Sequence, residues 1–216
     1  MNNTDENQTV SKKANCQKEK NQFFSALIKI IIVCICLAVI FIFGAIIIQN
    51  IKKQNIKNDY SLTENLKVTS DAFTEGGMIP TKFTGRGEDI SPNLKLAEIS
   101  PDAKSIAVIM DDHDHPLGIY NHWVIWNIPL SNEVPGGISH GKIVNSLGGA
   151  VQGNGYGRHK YRGPKPPYGT HRYKFNVYVL DTTLDLSSDS GKAELVQSMK
   201  GHVLQYGSLT GKYENQ

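Results

Sequence analysis

Apolar residues are distributed unevenly along the 216-residue chain. Residues 30–48 form a run of 19 without a charged or strongly polar side chain. A helix of that length, with a rise of about 1.5 Å per residue, nearly spans the roughly 30 Å hydrocarbon core of a bilayer. The run is longer than the apolar part of a secretory signal peptide, usually about 7–15 residues, and no small-x-small cleavage site follows it. The pattern therefore predicts a retained transmembrane signal anchor.

Polar segments flank this apolar run on both sides. Residues 1–29 are rich in Asn, Gln and Lys and are expected to be a disordered tail, and residues 49–65 are expected to form a linker. Five lysines precede the run and three follow it, which favours an N-terminus inside the cell. We therefore expect a single-pass membrane protein whose folded domain, residues 66–216, is extracytoplasmic. A cytoplasmic domain tethered to the inner leaflet is the alternative.

Short apolar segments separated by Gly and Pro clusters characterise residues 66–216. Strands are predicted where residues alternate in polarity or where β-branched and aromatic residues are enriched. These segments are residues 66–73, 94–96, 105–110, 121–129 and 173–180. Many short strands with turn residues between them indicate a mainly-β domain of sandwich or barrel-like type.

One segment near the C-terminus has helical spacing instead. It predicts a helix over residues 190–206 that ends at Gly207. Three residues before it offer N-cap side chains, namely Ser188, Asp189 and Ser190. Its apolar stripe is expected to pack on the core and consists of Leu195, Val196, Met199, Val203 and Tyr206.

Charge and cysteine content narrow the functional classes. The net charge of +3 divides into +4 for residues 1–63, with 8 Lys against 4 acidic residues, and −1 for residues 64–216, with 15 Lys and Arg against 16 Asp and Glu. The folded domain therefore has no overall positive field to attract nucleic acid. All three cysteines (Cys16, Cys34 and Cys36) precede the domain, which excludes from it a disulfide, a thiolate nucleophile and a Cys-based zinc site.

Residues 163–173 read GPKPPYGTHRY and combine three prolines with a histidine and two tyrosines. Proline restricts the backbone and removes an N–H, so this segment is expected to be a stiff loop that leads into the strand predicted for residues 173–180. Strand alternation places His171 and Tyr173 on the same face. Such a loop suits a site for a small polar or anionic ligand. A proline-stiffened surface loop with two incidental polar residues is the alternative.

A second polar cluster, DDHDHP at residues 111–116, follows the strand predicted for residues 105–110. Its carboxylates and imidazoles allow a divalent-metal site formed by Asp112, Asp114, His115 and His122. Adjacent residues of an extended chain point to opposite sides, however, and no ligand spacing such as HExxH is present. His122 begins the next strand after one short loop, which favours an Asp–His pair that orients an imidazole towards an anion.

In their order and spacing, these motifs resemble the phosphatidylethanolamine-binding protein family, and within it the prokaryotic Raf-kinase-inhibitor-like branch. The resemblance covers nearly all of residues 66–216. It is carried by residues 79–80 (IP), 89–92 (DISP), 112–116 (DHDHP), 122–129 (HWVIWNIP), 152–157 (QGNGYG), 161–173 (YRGPKPPYGTHRY), 201–204 (GHVL) and 211–213 (GKY). His115 departs from the family pattern, which usually has a small residue there, and Lys165 replaces a residue that is often Cys.

The resemblance implies a β-sandwich of two packed antiparallel sheets with a C-terminal helix. It also implies a small pocket for a phosphate-like anion, formed by Asp112, Asp114, Pro116, His122, Gly163, His171 and Tyr173. The expected function is that of a binding module for a phosphorylated small molecule or a phospholipid head group, not of an enzyme. It would need no catalytic residue, cofactor or metal.

Beyond the pocket, the resemblance implies a protein partner such as a protease or a kinase. A hydrolase that uses His and Asp as acid and base is the alternative function.

Overall fold

The computed structural model of the protein describes residues 64–215, together with Val39, Ile42 and Gly44. Residues 64–215 belong to one compact unit, Leu62–Gln216. Apart from those three residues, the predicted tail and anchor lie outside the described residues, as does nearly all of the linker. Within the described part of the chain, no helix is long and apolar enough to cross a membrane.

Nine strands and one α-helix form the described unit. In chain order they are β1 (Lys67–Thr69), β2 (Leu94–Ala97), β3 (Ser105–Asp112), β4 (Tyr120–Ile128), β5 (Glu133–Val134), β6 (Ile143–Val144), β7 (Ala150–Gln152), β8 (Thr170–Leu180), α1 (Lys192–Met199) and β9 (Val203–Glu214). Two short 3-10 turns, Thr81–Phe83 and Asn145–Leu147, lie in the connections.

The strands form two antiparallel sheets. The larger sheet has the order β6-β7-β4-β3-β8-β9, and the smaller one has the order β1-β2-β5. One apolar core joins them, with Leu94 and Leu96 from the small sheet and Val108, Met110 and Phe175 from the large sheet. The predicted fold class, two antiparallel sheets with one helix near the C-terminus, is therefore confirmed for this unit.

The strand β3, in the middle of the large sheet, shows why polar and apolar residues do not alternate in this part of the sequence. Every residue of β3 is buried, because both faces of the sheet are covered in its middle. β3 pairs with β4 on one side and with β8 on the other. It continues for two residues beyond the predicted segment, so Asp111 and Asp112 belong to the buried strand itself.

Strands were predicted well where β-branched and aromatic residues are dense. β2, β3, β4 and β8 are confirmed with small changes at their ends, and β8 begins at Thr170, three residues before the predicted start. The segment predicted over residues 66–73 contains only the short β1. Because β8 begins early, His171 lies within the strand and not in the proline-rich loop.

The helix predicted over residues 190–206 is wrong in its second half. α1 begins after Gly191, whose N–H donates to the Glu194 carboxylate at 3.0 Å, so none of the three predicted caps is the N-cap. Val203 and Tyr206 instead lie in β9, which pairs with β8 along its length. Gly207 does not end a helix: a Cβ there would lie 2.0 Å from the carbonyl oxygen of Leu66. Long-range strand pairing outweighed the helical spacing of this segment.

Candidate functional site

The end of β3, the start of β4 and the start of β8 meet at one edge of the large sheet. Asp112, the last residue of β3, is opposite Tyr120 of β4 and Tyr173 of β8. The proline-rich loop leads directly into β8 at this edge. Sheet pairing therefore brings together predicted site residues that are up to 61 positions apart in the sequence, from Asp112 to Tyr173.

Asp112 and His171 form a buried pair. The Asp112 Oδ2 and His171 Nδ1 atoms are 2.8 Å apart, and the two residues are only 2% and 3% exposed. The other oxygen, Oδ1, accepts the N–H of Asp114 at 2.9 Å. A carboxylate only accepts, so Nδ1 of His171 carries the proton and Nε2 holds the lone pair when the ring is neutral. Asp112 thereby sets the tautomer of His171.

His122 is held in the same tautomer by a different partner. Its Nδ1 lies 2.8 Å from the carbonyl oxygen of Arg162, which can only accept, so Nδ1 is the donor. Burial lowers the pKa of His122, while the Arg162 carbonyl and the negative charge of Asp112 oppose this effect. Nε2 of His122 is therefore an acceptor in the neutral ring and becomes a donor only when the ring is protonated.

The ring of Tyr173 lies between the two imidazoles. Its centroid is 5.3 Å from that of His122, edge to face, and 6.3 Å from that of His171, nearly parallel. The hydroxyl oxygen is buried and has no hydrogen-bond partner among the described residues. Burial raises the pKa of Tyr173, and so does the Asp112 carboxylate, which is close enough to interact with the hydroxyl although the two form no hydrogen bond of normal geometry. The phenol therefore keeps its proton. The centre of the site therefore holds an unpaired O–H donor.

Asp114 and Pro116 have other surroundings. The carboxylate of Asp114 accepts hydrogen bonds from Nε, Nη2 and the backbone N–H of Arg172, at 2.8, 2.7 and 2.8 Å. The side-chain hydrogen bonds from Arg172 are the main reason that the pKa of Asp114 falls to about 2. Pro116 is exposed. Asp114 thus attaches its loop to β8, and its charge is already compensated.

Gly163 has a packing role that sequence reasoning did not predict. Its N–H donates to Oδ1 of Asp89 at 2.7 Å, so this donor is already used within the protein. A Cβ at this position would lie 2.4 Å from the Phe83 carbonyl oxygen and 2.7 Å from Cα of Thr84. Asp89 also accepts from Arg162 at 3.1 Å. The motif at residues 89–92 was noted in the sequence, but this anchoring of the loop was not.

Two tyrosines that the sequence did not single out complete the surroundings of His122. The ring centroids of Tyr120 and Tyr156 lie 5.8 and 5.4 Å from that of His122. The guanidinium carbon of Arg162 lies 5.6 Å from the centroid of Tyr156. Tyr156 belongs to the glycine-rich segment at residues 152–157, which was the available signal. These rings cover one side of His122.

The four residues of the alternative metal site do not converge. Asp112 binds His171, Asp114 binds Arg172, and His122 contacts the Arg162 carbonyl. The His115 ring stacks on Tyr120 with centroids 4.5 Å apart. In the described residues, no group of three or more His, Cys, Asp or Glu side chains could hold a metal ion.

A groove lies beside the Asp112–His171 pair. Its volume is about 430 Å³. Asp114 and His171 are the two predicted site residues that line it. The remaining lining residues are Tyr168, Gly169, Thr170, Arg172 and Lys212.

Comparisons with known proteins agree with the sequence motifs. The family model for phosphatidylethanolamine-binding protein matches residues 69–214. A UPF0098 protein of Pyrococcus horikoshii is 46% identical over 153 residues, which cover 69% of this chain and 77% of that protein.

Two crystal structures have the same fold. One, from Chlamydia trachomatis, is described as a phosphatidylethanolamine-binding protein homologue; it has a TM-score of 0.64 and 32% identity, and the match covers 71% of this chain and 100% of that one. The other is Escherichia coli YbcL, described as a member of the mammalian family, with a TM-score of 0.63, 28% identity and coverage of 70% and 99%. On sequence and fold together, the chain belongs to the phosphatidylethanolamine-binding protein family.

Proposed function

We propose that the protein is a binding module whose pocket, formed by His122, His171 and Tyr173, holds the oxyanion of phosphate or of a phosphorylated head group. The observation that carries this proposal is the Tyr173 hydroxyl, which is buried and unpaired. Leaving a buried polar group unpaired costs about 1–3 kcal/mol, and most such groups in proteins have a partner. A bound oxyanion would accept this hydrogen bond.

The tautomers of the two histidines determine how an anion is held. Both Nδ1 atoms are occupied, by the Asp112 carboxylate and the Arg162 carbonyl. Each Nε2 then donates to an oxyanion only after its ring is protonated, or accepts from an anion that brings its own proton. Donation from either histidine to a fully ionised anion therefore requires proton uptake by the protein, whereas the Tyr173 hydroxyl can donate at any protonation state of the rings.

Tethering to a membrane is the second part of the proposal. The uncharged run at residues 30–48 supports an anchor, and the lysines before it support an extracytoplasmic domain. The ligand would then be a phosphorylated small molecule or a phospholipid head group. Modulation of a protein partner, such as a protease or a kinase, is implied by the family resemblance.

The Asp112–His171 pair also favours a second candidate, a hydrolase that uses acid–base catalysis. A carboxylate 2.8 Å from a buried imidazole is the arrangement that orients a general base. Turnover of phosphate monoesters or carboxylic esters that disappears in Asp112→Asn would favour this candidate. The family relationship supports binding, which we therefore place first.

The first test is calorimetric titration of the full-length protein with inorganic phosphate. Tyr173→Phe removes one hydrogen bond to a charged ligand and should weaken binding about ten-fold. Tyr206→Phe is the matched control. Tyr206 lies in β9, which pairs with β8, and its hydroxyl already donates to Asn176 Oδ1 at 2.8 Å, so it is not available to a ligand. Phosphate should bind this control as it binds the unmodified protein. Equal affinities for all three proteins would refute the proposed pocket.

A further inference from the structure

We infer that Asp89 is a positioning residue for the candidate anion site and acts on His122 through the peptide group that joins Arg162 and Gly163. His171 has a carboxylate directly behind its Nδ1 atom, and His122 would have one at the far side of a peptide group. This inference rests on the proposed function, because it concerns how the site controls one of its hydrogen-bond donors. The motif at residues 89–92 gave Asp89 no such role.

The peptide group between Arg162 and Gly163 forms a hydrogen bond at each end. Its carbonyl oxygen accepts from Nδ1 of His122 at 2.8 Å. Its N–H donates to Oδ1 of Asp89 at 2.7 Å. The N–H and C=O of a peptide group lie in one plane and point to opposite sides. The carboxylate, the peptide group and the imidazole therefore form one continuous chain of hydrogen bonds.

A negative charge at the N–H end of this peptide group polarises the carbonyl at the other end. Hydrogen bonds in such a chain strengthen one another, by about 10–30% per bond. A more negative carbonyl oxygen favours the proton on Nδ1 and also favours the protonated ring. Burial lowers the pKa of His122, and the hydrogen bond to the Arg162 carbonyl raises it. Asp89 thus strengthens the contact that helps His122 to become a donor.

The Asp89 carboxylate is itself held in a defined place. Its Oδ2 atom accepts from Nη1 of Arg162 at 3.1 Å, and its side chain is only 21% exposed. The backbone of Asp89 has a φ of 58°, in the left-handed region that Asp and Asn adopt more readily than most residues. The backbone conformation and the two hydrogen bonds together direct the carboxylate at the peptide group.

Other contacts hold the same loop independently of Asp89. The Tyr161 hydroxyl donates to the carbonyl oxygen of Phe83 at 2.8 Å. The N–H of Gly85 donates to the carbonyl oxygen of Pro164 at 2.9 Å. Loss of the Asp89 charge should therefore change the polarity of the peptide group more than its position.

Ionisable groups from every neighbouring element also surround His122. They are Asp111 and Asp112 of β3, His115 of the following loop, Tyr120 of β4, Tyr156 and Arg162 of the segment before β8, and Tyr173 of β8. All of them remain when Asp89 is replaced. A change in the pH profile of an Asp89 variant therefore reports on Asp89.

Sulfate titrations of the full-length protein between about pH 7.5 and about pH 5 test this inference. Asp89→Asn keeps an acceptor for the Gly163 N–H and suits the left-handed backbone, but it removes the charge. We expect its sulfate affinity to be about three-fold lower at about pH 6, because His122 then needs a lower pH to become protonated. The difference should shrink towards about pH 5. A merely structural role would lower the affinity by the same factor at every pH.

Asp71→Asn is the matched control. Asp71 also bridges two donors, since it accepts from Nζ of Lys95 at 2.6 Å and from Nδ2 of Asn93 at 2.9 Å. Its partner Lys95 lies in β2 of the small sheet. The sulfate affinity of this variant should equal that of the unmodified protein at every pH.

Nuclear magnetic resonance gives a second measurement that needs no ligand. The ring signals of His122 are identified by their loss in His122→Gln. Their titration midpoint should lie at a lower pH in Asp89→Asn than in the unmodified protein, and it should not move in Asp71→Asn. If sulfate binds but its pH profile is the same in Asp89→Asn, the positioning role is refuted and the anion pocket stands. If sulfate does not bind at all, the proposed function fails and the positioning role fails with it.

Discussion

Asp111 and Asp112 are adjacent in sequence and equally buried, at 3% and 2% exposure, but they belong to different polar clusters. Strand alternation directs them to opposite faces of the large sheet. Asp111 accepts from Lys192 Nζ at 2.7 Å and from Asn121 Nδ2 at 3.1 Å. Asp112 instead faces His171. One carboxylate is thus paired with a permanent cation, and the other with a group that gains or loses a proton.

The groups left unpaired in the two clusters differ as well. On the Asp111 side, Oδ1 of Asn121 has no partner, but the backbone closes over it: a Cβ on Gly155 would lie 2.8 Å from that oxygen. On the Asp112 side, the unpaired group is the Tyr173 hydroxyl, a donor beside two imidazoles. The proposed site therefore differs from the Asp111 cluster in having an unused donor beside an imidazole.

Replacing each aspartate with alanine should give the largest difference in phosphate affinity between the two clusters. Asp112→Ala should lower the free energy of unfolding by about 3 kcal/mol and weaken phosphate binding at least about ten-fold, because the buried pair is broken and His171 loses the partner that orients it. Asp111→Ala should also destabilise the fold, by about 2 kcal/mol, since Lys192 loses its partner. Its phosphate affinity should stay the same. Urea denaturation and calorimetry measure the two effects separately.

Loss of phosphate binding in Asp111→Ala at a temperature where that variant remains folded would contradict the comparison. It would mean that both faces of the sheet take part in the same site.

A change of pH should have a smaller effect than the aspartate substitutions. This effect also distinguishes the Asp112 cluster from the Asp111 cluster. Burial lowers the pKa of His122, and burial likewise lowers the pKa of His113, near Asp111. Below a pH of about 6.5, the unfolded chain therefore binds more protons than the folded one. The free energy of unfolding should decrease as the pH falls below that value. Anion binding should change in the opposite direction, because a protonated ring donates to the anion.

Sulfate is a suitable anion for this measurement, because its charge stays constant in this range. Its affinity should increase as the pH is lowered from about 7.5 to about 5.5, through the ordinary range of histidine. His122→Gln should remove most of this dependence, whereas His113→Gln should flatten only the change of stability with pH. An unchanged pH profile of sulfate binding in His122→Gln would exclude that ring from the site.

The smallest effect is expected from the exposed ion pair at the edge of the groove. Asp114→Asn should cost no more than about 1 kcal/mol of stability, because its partner Arg172 is largely exposed to solvent. With a pKa of about 2 for Asp114, this contribution should be lost in the unmodified protein as the pH falls from about 4 to about 2. Urea denaturation of both proteins at about pH 7 and about pH 2 measures this contribution. A much larger loss of stability at about pH 7 would mean that this ion pair is not screened by solvent.

Much of the sheet could be predicted from local sequence. β3, β4 and β8 are dense in β-branched and aromatic residues, and such residues fit a covered, pleated surface. β9 could not be predicted in this way, because Val203 and Tyr206 happen to continue the helical spacing of Leu195 and Met199. Its strand conformation comes from pairing with β8, a contact between distant parts of the chain.

Several residues of the candidate site could be named from the sequence, but their contacts could not. The motifs pointed to Asp112, His122, His171 and Tyr173, and strand pairing brings them together at one edge. The use of the Gly163 N–H by Asp89 could not be seen, since the two are 74 positions apart. The compensation of Asp114 by Arg172 depends on side-chain geometry that local spacing does not encode.

The order of residues alone was enough to identify the family, the mainly-β class and the residue types of the candidate site, because these depend on local polarity and on motifs of a few residues. Partners and protonation states required the folded chain. Which nitrogen of each imidazole carries the proton and which donor is left without a partner depend on contacts between β3, β4, β8 and β9. Hydrogen bonds and charges act over a few ångströms in space, so only the arrangement of the strands assigns them.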